Sequence, residues 1–300
     1  VLENFIYGGT PEESALRSLL AEIFSSGDEF DVSLYALSAD HDIRQLVLRT
    51  LLTYLELGGY LQGGTPFYAN YQFKPLQSST EILSRFEGER RDFLAALFRQ
   101  TVKGRSWFSL DPAQAAAALN TTRGRIVTAL DWLGEQALME IKVAGVRHRY
   151  RRLQQPTSEE ELACELHRRI LQREQAEIDR VQQTIDLIDL DGCQTNALAR
   201  HFGERREEPC GDCGWCLRGK SELFPRKSAS INEHIWREAC ELQQARPKAL
   251  TSPRLLARFL CGITSPRLSH DKLSGHKLFG SLETVPFGDV LLKADPDCSA

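Results

Sequence analysis

The sequence predicts a mainly α protein with small β-hairpin wings, built as tandem winged-helix domains plus a helical four-cysteine zinc-binding domain. Three observations lead there. Apolar residues recur at helical spacing behind capping signals, and two helical stretches are each followed by a short β-type run with a glycine turn. Four of the eight cysteines fall in one group, Cys193, Cys210, Cys213 and Cys216. At 300 residues the chain exceeds what a single core comfortably holds, so several compact units are expected. Hydrophobic residues make up 42%, enough for real cores, yet no run approaches the ~20 apolar residues of a membrane helix. The first residues show neither an initiator Met nor a signal pattern, so the chain is expected to begin inside a longer, intracellular, cytoplasmic protein.

Five segments are expected in order: a linker-like opening (1–30), a first winged-helix-like domain (31–88), a second (89–155), a long helix with the cysteine group (156–222), and a helical end (223–300). Pro11 to Phe24 reads as a short helix with Thr10 as N-cap, and Asp28 to Asp31 as an acidic linker. His41 to Leu57 has apolar residues at helical spacing and stops at Gly58-Gly59. Tyr60 to Gln62 and Phe67 to Lys74 then read as a hairpin turning at Gly63-Gly64-Thr65-Pro66. In the second copy, Arg91 to Val102 is a helix and Trp107 to Leu110 a strand. Asp111-Pro112 caps a small Ala-rich helix, and Arg123 to Glu135 follows as the second helix of a helix-turn-helix. Leu138 to Val143 and Val146 to Leu153 are expected to form its wing around Ala144-Gly145. Ser158 opens a long helix toward Leu190, with further helices at Ile231 to Gln244 and Pro253 to Cys261.

The cysteine group has the spacing C-x16-C-x2-C-x2-C. Disulfide frameworks belong to small secreted chains, so metal binding is the better reading here. Four thiolates at such gaps suit structural tetrahedral zinc, with a four-cysteine iron-sulfur cluster as the rival. Four cysteines would leave the zinc no open position for water, so no hydrolysis at the metal is expected.

Net charge is -4, but it averages opposed segments. Lys142, Arg147, Arg149, Arg151 and Arg152 form a basic run with no acid between them, and alternation sends Arg147, Arg149 and Arg151 to one face. Thr121, Thr122, Arg123 and Arg125 sit at the N-terminus of the second helix, where a helix-turn-helix meets DNA. These nine residues are the expected DNA contacts, with Phe67 or Tyr68 as candidates to stack on an unpaired base. Gly214 to Ser221 fits a phosphate-loop pattern, yet metal ligands precede it where a buried strand is required, so no nucleotide site is expected there. No catalytic residues are assigned, because no nucleophile, base and orienter occur together.

The stretch Cys193-Gln194-Thr195-Asn196-Ala197-Leu198-Ala199-Arg200-His201-Phe202-Gly203-Glu204, followed by Pro209-Cys210-Gly211-Asp212-Cys213-Gly214-Trp215-Cys216, resembles the zinc-binding domain of RecQ-family DNA helicases. The opening Glu3-Asn4-Phe5-Ile6-Tyr7-Gly8-Gly9-Thr10-Pro11 is similar to the end of that family's second motor lobe. The resemblance implies an upstream ATP-driven motor, using ATP and Mg2+, that unwinds duplex DNA with 3'-to-5' polarity. Its partners would be that motor and DNA, both duplex and single-strand junctions. The chain departs from the family's bacterial pattern, since about 160 residues with two winged-helix-like units precede the zinc ligands. The alternative is a tandem winged-helix DNA-binding regulator with a structural zinc and no motor.

Overall fold

The computed structural model describes residues 6–220 and 230–295. Helices α1 (Glu13–Ser25), α2 (Leu34–His41) and α3 (Gln45–Leu57) come first, with strand β1 (Glu29–Val32) between α1 and α2. Strands β2 (Leu61–Gly63) and β3 (Phe67–Pro75) precede α4 (Ser79–Leu83) and α5 (Gly88–Arg99). Then come β4 (Val102–Lys103), β5 (Phe108–Leu110), α6 (Pro112–Ala118), α7 (Arg123–Glu135) and the long strand β6 (Met139–Arg152). Helices α8 (Glu159–Asp189), α9 (Gln194–His201) and α10 (Gly214–Arg218) lead to α11 (Glu233–Ala245), α12 (Pro253–Leu260), α13 (Pro266–His270) and α14 (Phe287–Ala294). The protein is thus mainly α with a small antiparallel sheet, the expected class. No described helix is long and apolar enough to cross a membrane. The chain divides into two compact units, one from Val1–Ser25, Leu37–Thr53 and Pro156–Ala300, the other from Ser26–Ala36 and Tyr54–Gln155.

Local capping chemistry sets several helix starts. The Asp111 carboxylate accepts from the Ala113 and Gln114 amides ahead of α6, with Pro112 in the first turn, where its missing N–H costs nothing. Thr122 caps α7 by accepting from the Arg125 amide, and Ser158 caps α8 by accepting from the Glu161 amide. Thr10 does not cap α1, which begins only at Glu13. Its hydroxyl instead donates to the Glu174 carboxylate on α8, a stronger acceptor than any the first turn offers.

The strand pairing corrects both expected hairpins. β2 and β3 do not pair with each other; both run antiparallel to β6, β2 from Leu61 opposite Arg152 and β3 from Phe67 opposite Arg147 to Pro75 opposite Met139. Gly64 and Thr65 therefore lie in a kink along one extended path rather than a turn, and the Gly64 amide still donates to the Arg149 carbonyl. Between the pairs Gly63–Tyr150 and Phe67–Arg147 this path uses one residue more than β6, the count of a bulge. β6 likewise does not turn at Ala144-Gly145. Gly145 takes φ +68° and the strand continues, so a glycine suited to a turn serves here as a local irregularity within a strand. The acidic segment read as a linker is β1, paired to the other edge of β6 with Glu29 opposite Arg151 and Asp31 opposite Arg149.

In the unit holding the sheet, α5, α6 and α7 pack with β5, β3 and β6 around Phe73, Leu94, Leu97, Leu110, Ile126, Leu130 and Leu133. Here β3, from earlier in the chain, fills the place beside β6 that the expected hairpin partner would take. The other unit centres on Leu256, Phe259, Leu260, Leu268, Phe287 and Val290, with Tyr7 stacked on Phe287 at 4.2 Å between ring centroids. Full burial of Phe259 and Phe287 stabilises it by roughly 1.5–3 kcal/mol per side chain.

Arg258, 3% exposed, ties the chain's opening to this core. Its guanidinium donates to the Tyr7 carbonyl at 2.7 Å and to the Thr10 carbonyl. Burial lowers its pKa to about 10, so it remains charged at neutral pH and needs both acceptors. Arg254 beside it pairs with Glu174, the acceptor for Thr10. Arg258→Met is therefore expected to cost about 2–4 kcal/mol, because the Thr10 carbonyl loses the Arg258 donor and the Tyr7 carbonyl keeps only the long 3.5 Å bond from Arg254, while some apolar volume is kept. Urea unfolding followed by tryptophan fluorescence checks this, and a change below about 0.5 kcal/mol would contradict it.

Candidate metal centre and basic surface

Leu190 ends α8 in an extended conformation, and Cys193 then opens α9 as its N-cap residue. After α9 the chain returns through Pro209-Cys210, turns at Gly211 with φ +81°, and reaches Cys213, which opens α10; Cys216 lies on α10 itself. The four sulfurs lie within 4.8 Å of one another. Cys210 and Cys216 are 3.9 Å apart, Cys213 and Cys193 4.0 Å. Four thiolates at ~2.3 Å from one ion define a tetrahedron with edges of about 3.8 Å, so these residues fit a single zinc. A four-iron cube would hold its cysteine sulfurs well apart at its corners, so the close approach favours zinc over the iron-sulfur rival.

Backbone amides point at sulfur, as thiolates require. The Cys210 amide donates to Cys193 Sγ at 3.4 Å, and the Asp212 and Cys213 amides donate to Cys210 Sγ at 3.4 and 3.3 Å. Hydrogen bonding from Thr195 and then from these two amides holds the Cys210 thiol below its usual range. Amide donation, first from Cys216, brings the Cys213 thiol down to about 6. Desolvation first, then the neighbouring thiols, pushes Cys216 up to about 12, so thiols alone cannot all ionise in this space. A divalent cation removes that conflict. Neither α9 nor α10 has a buried residue, so the metal takes the part that a core plays elsewhere. Trp215 Nε1 donates to Asp191 at 2.9 Å and Asn196 to the Glu208 carbonyl at 2.8 Å, polar links that fasten the module's edges. The phosphate-loop look-alike falls on α10 and Gly219, with Ser221 outside the described residues.

The expected basic contacts divide into two sets. Arg147 pairs with Asp31 and donates to its carbonyl at 2.9 Å. Arg151 pairs with Glu29 at 2.7 Å, and Arg152 with Asp28 at 2.7 Å while also donating to the Ser26 carbonyl. Acidic β1 and the residue before it thus lie along the basic strand. Tyr150, on the opposite face, is buried and stacks on Phe30, as the alternation implies.

The second set gathers on Phe67. Arg123 and Arg149 lie over its ring at 4.8 and 5.0 Å, and Arg123 donates to the Tyr68 carbonyl at 2.8 Å. Two guanidiniums cover Phe67, whereas Tyr68 is 43% exposed. Arg125 turns toward α5, pairing with Glu89 at 2.6 Å and lying over Phe93 at 4.4 Å. That bond, with the Arg125 charge, holds the Glu89 carboxyl below its usual range. Thr121 donates its amide to the Ala116 carbonyl in the turn, and Thr122 is committed to its cap. Lys142 lies over Trp107 at 4.1 Å and meets Glu140 at 3.8 Å. Trp107 was not among the sequence candidates; the signal that points to it is Lys103-Gly104-Arg105-Ser106-Trp107, an aromatic preceded by two cations and no acid.

Residues 151–217 match the family described as RecQ zinc-binding. No curated protein matches the chain. The match contains all four cysteines and the end of β6, so this stretch of the chain is similar to the zinc-binding region of RecQ proteins, and its four cysteines fit a structural zinc.

Two outcomes follow from this geometry. Metal analysis should find one zinc per chain in the wild type and none in Cys213→Ala, and release of zinc should accompany acidification as protons compete for the thiolates. A fully loaded Cys213→Ala protein would contradict the ligand assignment.

Proposed function

We propose that this chain is the DNA-binding, zinc-binding C-terminal region of a RecQ-like ATP-dependent helicase. It serves a motor that binds ATP and Mg2+ and unwinds duplex DNA in the 3'-to-5' direction. The observation that carries this reading is the four-cysteine cluster, with its four sulfurs within 4.8 Å, inside the matched zinc-binding stretch. The zinc in this role folds α9 and α10 and leaves no position for a reacting water.

What supports DNA contact is the pair Arg123 and Arg149, both over Phe67 at one end of β3, in a winged-helix setting where such cations meet the phosphate backbone. Arg147, Arg151 and Arg152 have acidic partners, which refines the expected phosphate grip. Arg151 and Glu29 are both more than 60% exposed, so their ion pair is worth little and yields readily to a phosphate. Arg147, held by both the carboxylate and the carbonyl of Asp31, is the less available of the two.

DNA titration at several salt concentrations tests this. Arg123→Ala with Arg149→Ala should weaken duplex and fork binding and reduce the salt slope by up to ~0.9 for each phosphate no longer neutralised. The reverse change, Asp28→Asn with Glu29→Gln and Asp31→Asn, should tighten binding at low salt, since it removes three negative charges from beside β6. Unchanged affinity and slope in both variants would sink the basic-surface assignment. The motor is tested by reading the gene upstream of Val1, where ATPase motifs support the helicase reading and an unrelated sequence contradicts it.

A further inference from the structure

We propose that the cleft at the β4–β5 turn is a binding site for an unpaired nucleobase of single-stranded DNA, with Trp107 as its stacking wall. The proposal rests on the DNA-binding reading above and adds a second, separate contact to it.

The turn is built to hold an aromatic ring in place. β4 and β5 pair through Val102 opposite Ser109 and Lys103 opposite Phe108, and the Gly104 amide donates to the Trp107 carbonyl at 2.8 Å. A Cβ on residue 104 would stand 2.8 Å from that carbonyl oxygen, so this closure needs glycine. Phe108, next to Trp107, stacks on Phe73 at 5.6 Å with the rings 12° from parallel, which anchors the turn to the core. The backbone of Trp107 is therefore held from both sides, by the Gly104 amide and by the anchored Phe108.

Around it lies an open cleft of ≈370 Å³ lined by Gln72, Arg105, Ser106, Trp107, Phe108 and Ser109. Its chemistry matches a nucleotide in three respects. The indole offers a flat π face. The Gln72 amide and the Ser106 hydroxyl offer donors and acceptors for a base edge, while the Ser109 hydroxyl, which donates to the Val102 carbonyl, can still accept. Lys103 and Arg105 are exposed within the same turn, which has no acid from residue 103 to 109, and Lys142 lies against the indole at 4.1 Å. Aromatic walls bordered by cations are how proteins hold single strands, because the cations follow the phosphates while the ring accepts any base. A base still paired in a duplex has its faces covered by its neighbours, so the cleft selects a displaced or unwound strand. An acidic peptide would use the cations but gain little from a planar wall. Phe67, the aromatic expected to stack, has two guanidiniums over its ring, whereas Trp107 has the single ammonium of Lys142 and borders the open cleft, which makes it the better platform.

The test uses the full chain, a labelled oligo(dT) and a labelled duplex, with anisotropy as the readout. Trp107→Ala should weaken oligo(dT) binding about tenfold, Trp107→Phe should stay within about threefold of wild type, and duplex affinity should change by less than about twofold in either variant. In the unaltered chain, ultraviolet crosslinking of a bromodeoxyuridine oligonucleotide should label the peptide containing Trp107, a result that does not depend on any variant folding. Oligo(dT) binding unchanged by Trp107→Ala, with crosslinks elsewhere, overturns this site while leaving the DNA-binding reading intact. A wild-type chain that binds neither DNA overturns both. Displacement of oligo(dT) by oligo-glutamate at the same concentration from the wild type and from Trp107→Ala assigns the affinity to charge alone and overturns the stacking site.

Discussion

Four thiols crowded within 4.8 Å are the constraint on which the matched region depends. As thiols they cannot all ionise, since desolvation and each new thiolate raise the cost for the next. As ligands of one divalent ion they can. The two helices they open have no buried side chain, so nothing else there supplies the stabilisation that apolar burial supplies in the α12 and α14 region. The Cys-x2-Cys-x2-Cys run and the distant Cys193 are brought together by two left-handed glycines, Gly203 and Gly211, by amides aimed at sulfur, and by the metal that these features prepare for.

In the other unit the organising element is β6. Its 14 residues serve β1 on one edge and β2 and β3 on the other, so strands far apart in sequence close one sheet over the core of this unit. The same strand carries the basic run, and its pairing decides which cations remain for a ligand. Acidic β1 runs beside it in register, and Glu29 pairs with Arg151 and Asp31 with Arg147, which places negative charge where a phosphate would otherwise lie. Solvent exposure keeps these ion pairs weak, so the arrangement tunes rather than abolishes a basic surface.

Much of this was legible from residues alone, and the boundary has a physical cause. The Asp111 and Ser158 caps are local chemistry, visible in the residues within three positions, and each caps its helix; the Thr122 cap, read only as part of a turn, is of the same local kind. The cysteine cluster was legible because metal ligation imposes spacing. What failed was non-local pairing. Gly63-Gly64 and Ala144-Gly145 have the composition of hairpin turns, yet the strands around them find partners elsewhere, and a left-handed glycine suits an irregular strand as well as a turn. The acidic segment at 28–31 showed no strand signal because its partner, Arg151 for Glu29, lies 122 positions away. Thr10 satisfied every local rule for a cap and was taken by Glu174 on a distant helix.

The most direct test of the central claim is hydrogen exchange by mass spectrometry on the whole chain before and after zinc is chelated. If the metal stands in for a core, amides of Gln194–His201 and Gly214–Arg218 lose protection on chelation while those of Pro253–Leu260 keep theirs. Protection of both cysteine-bearing helices that survives complete removal of the metal would contradict the account.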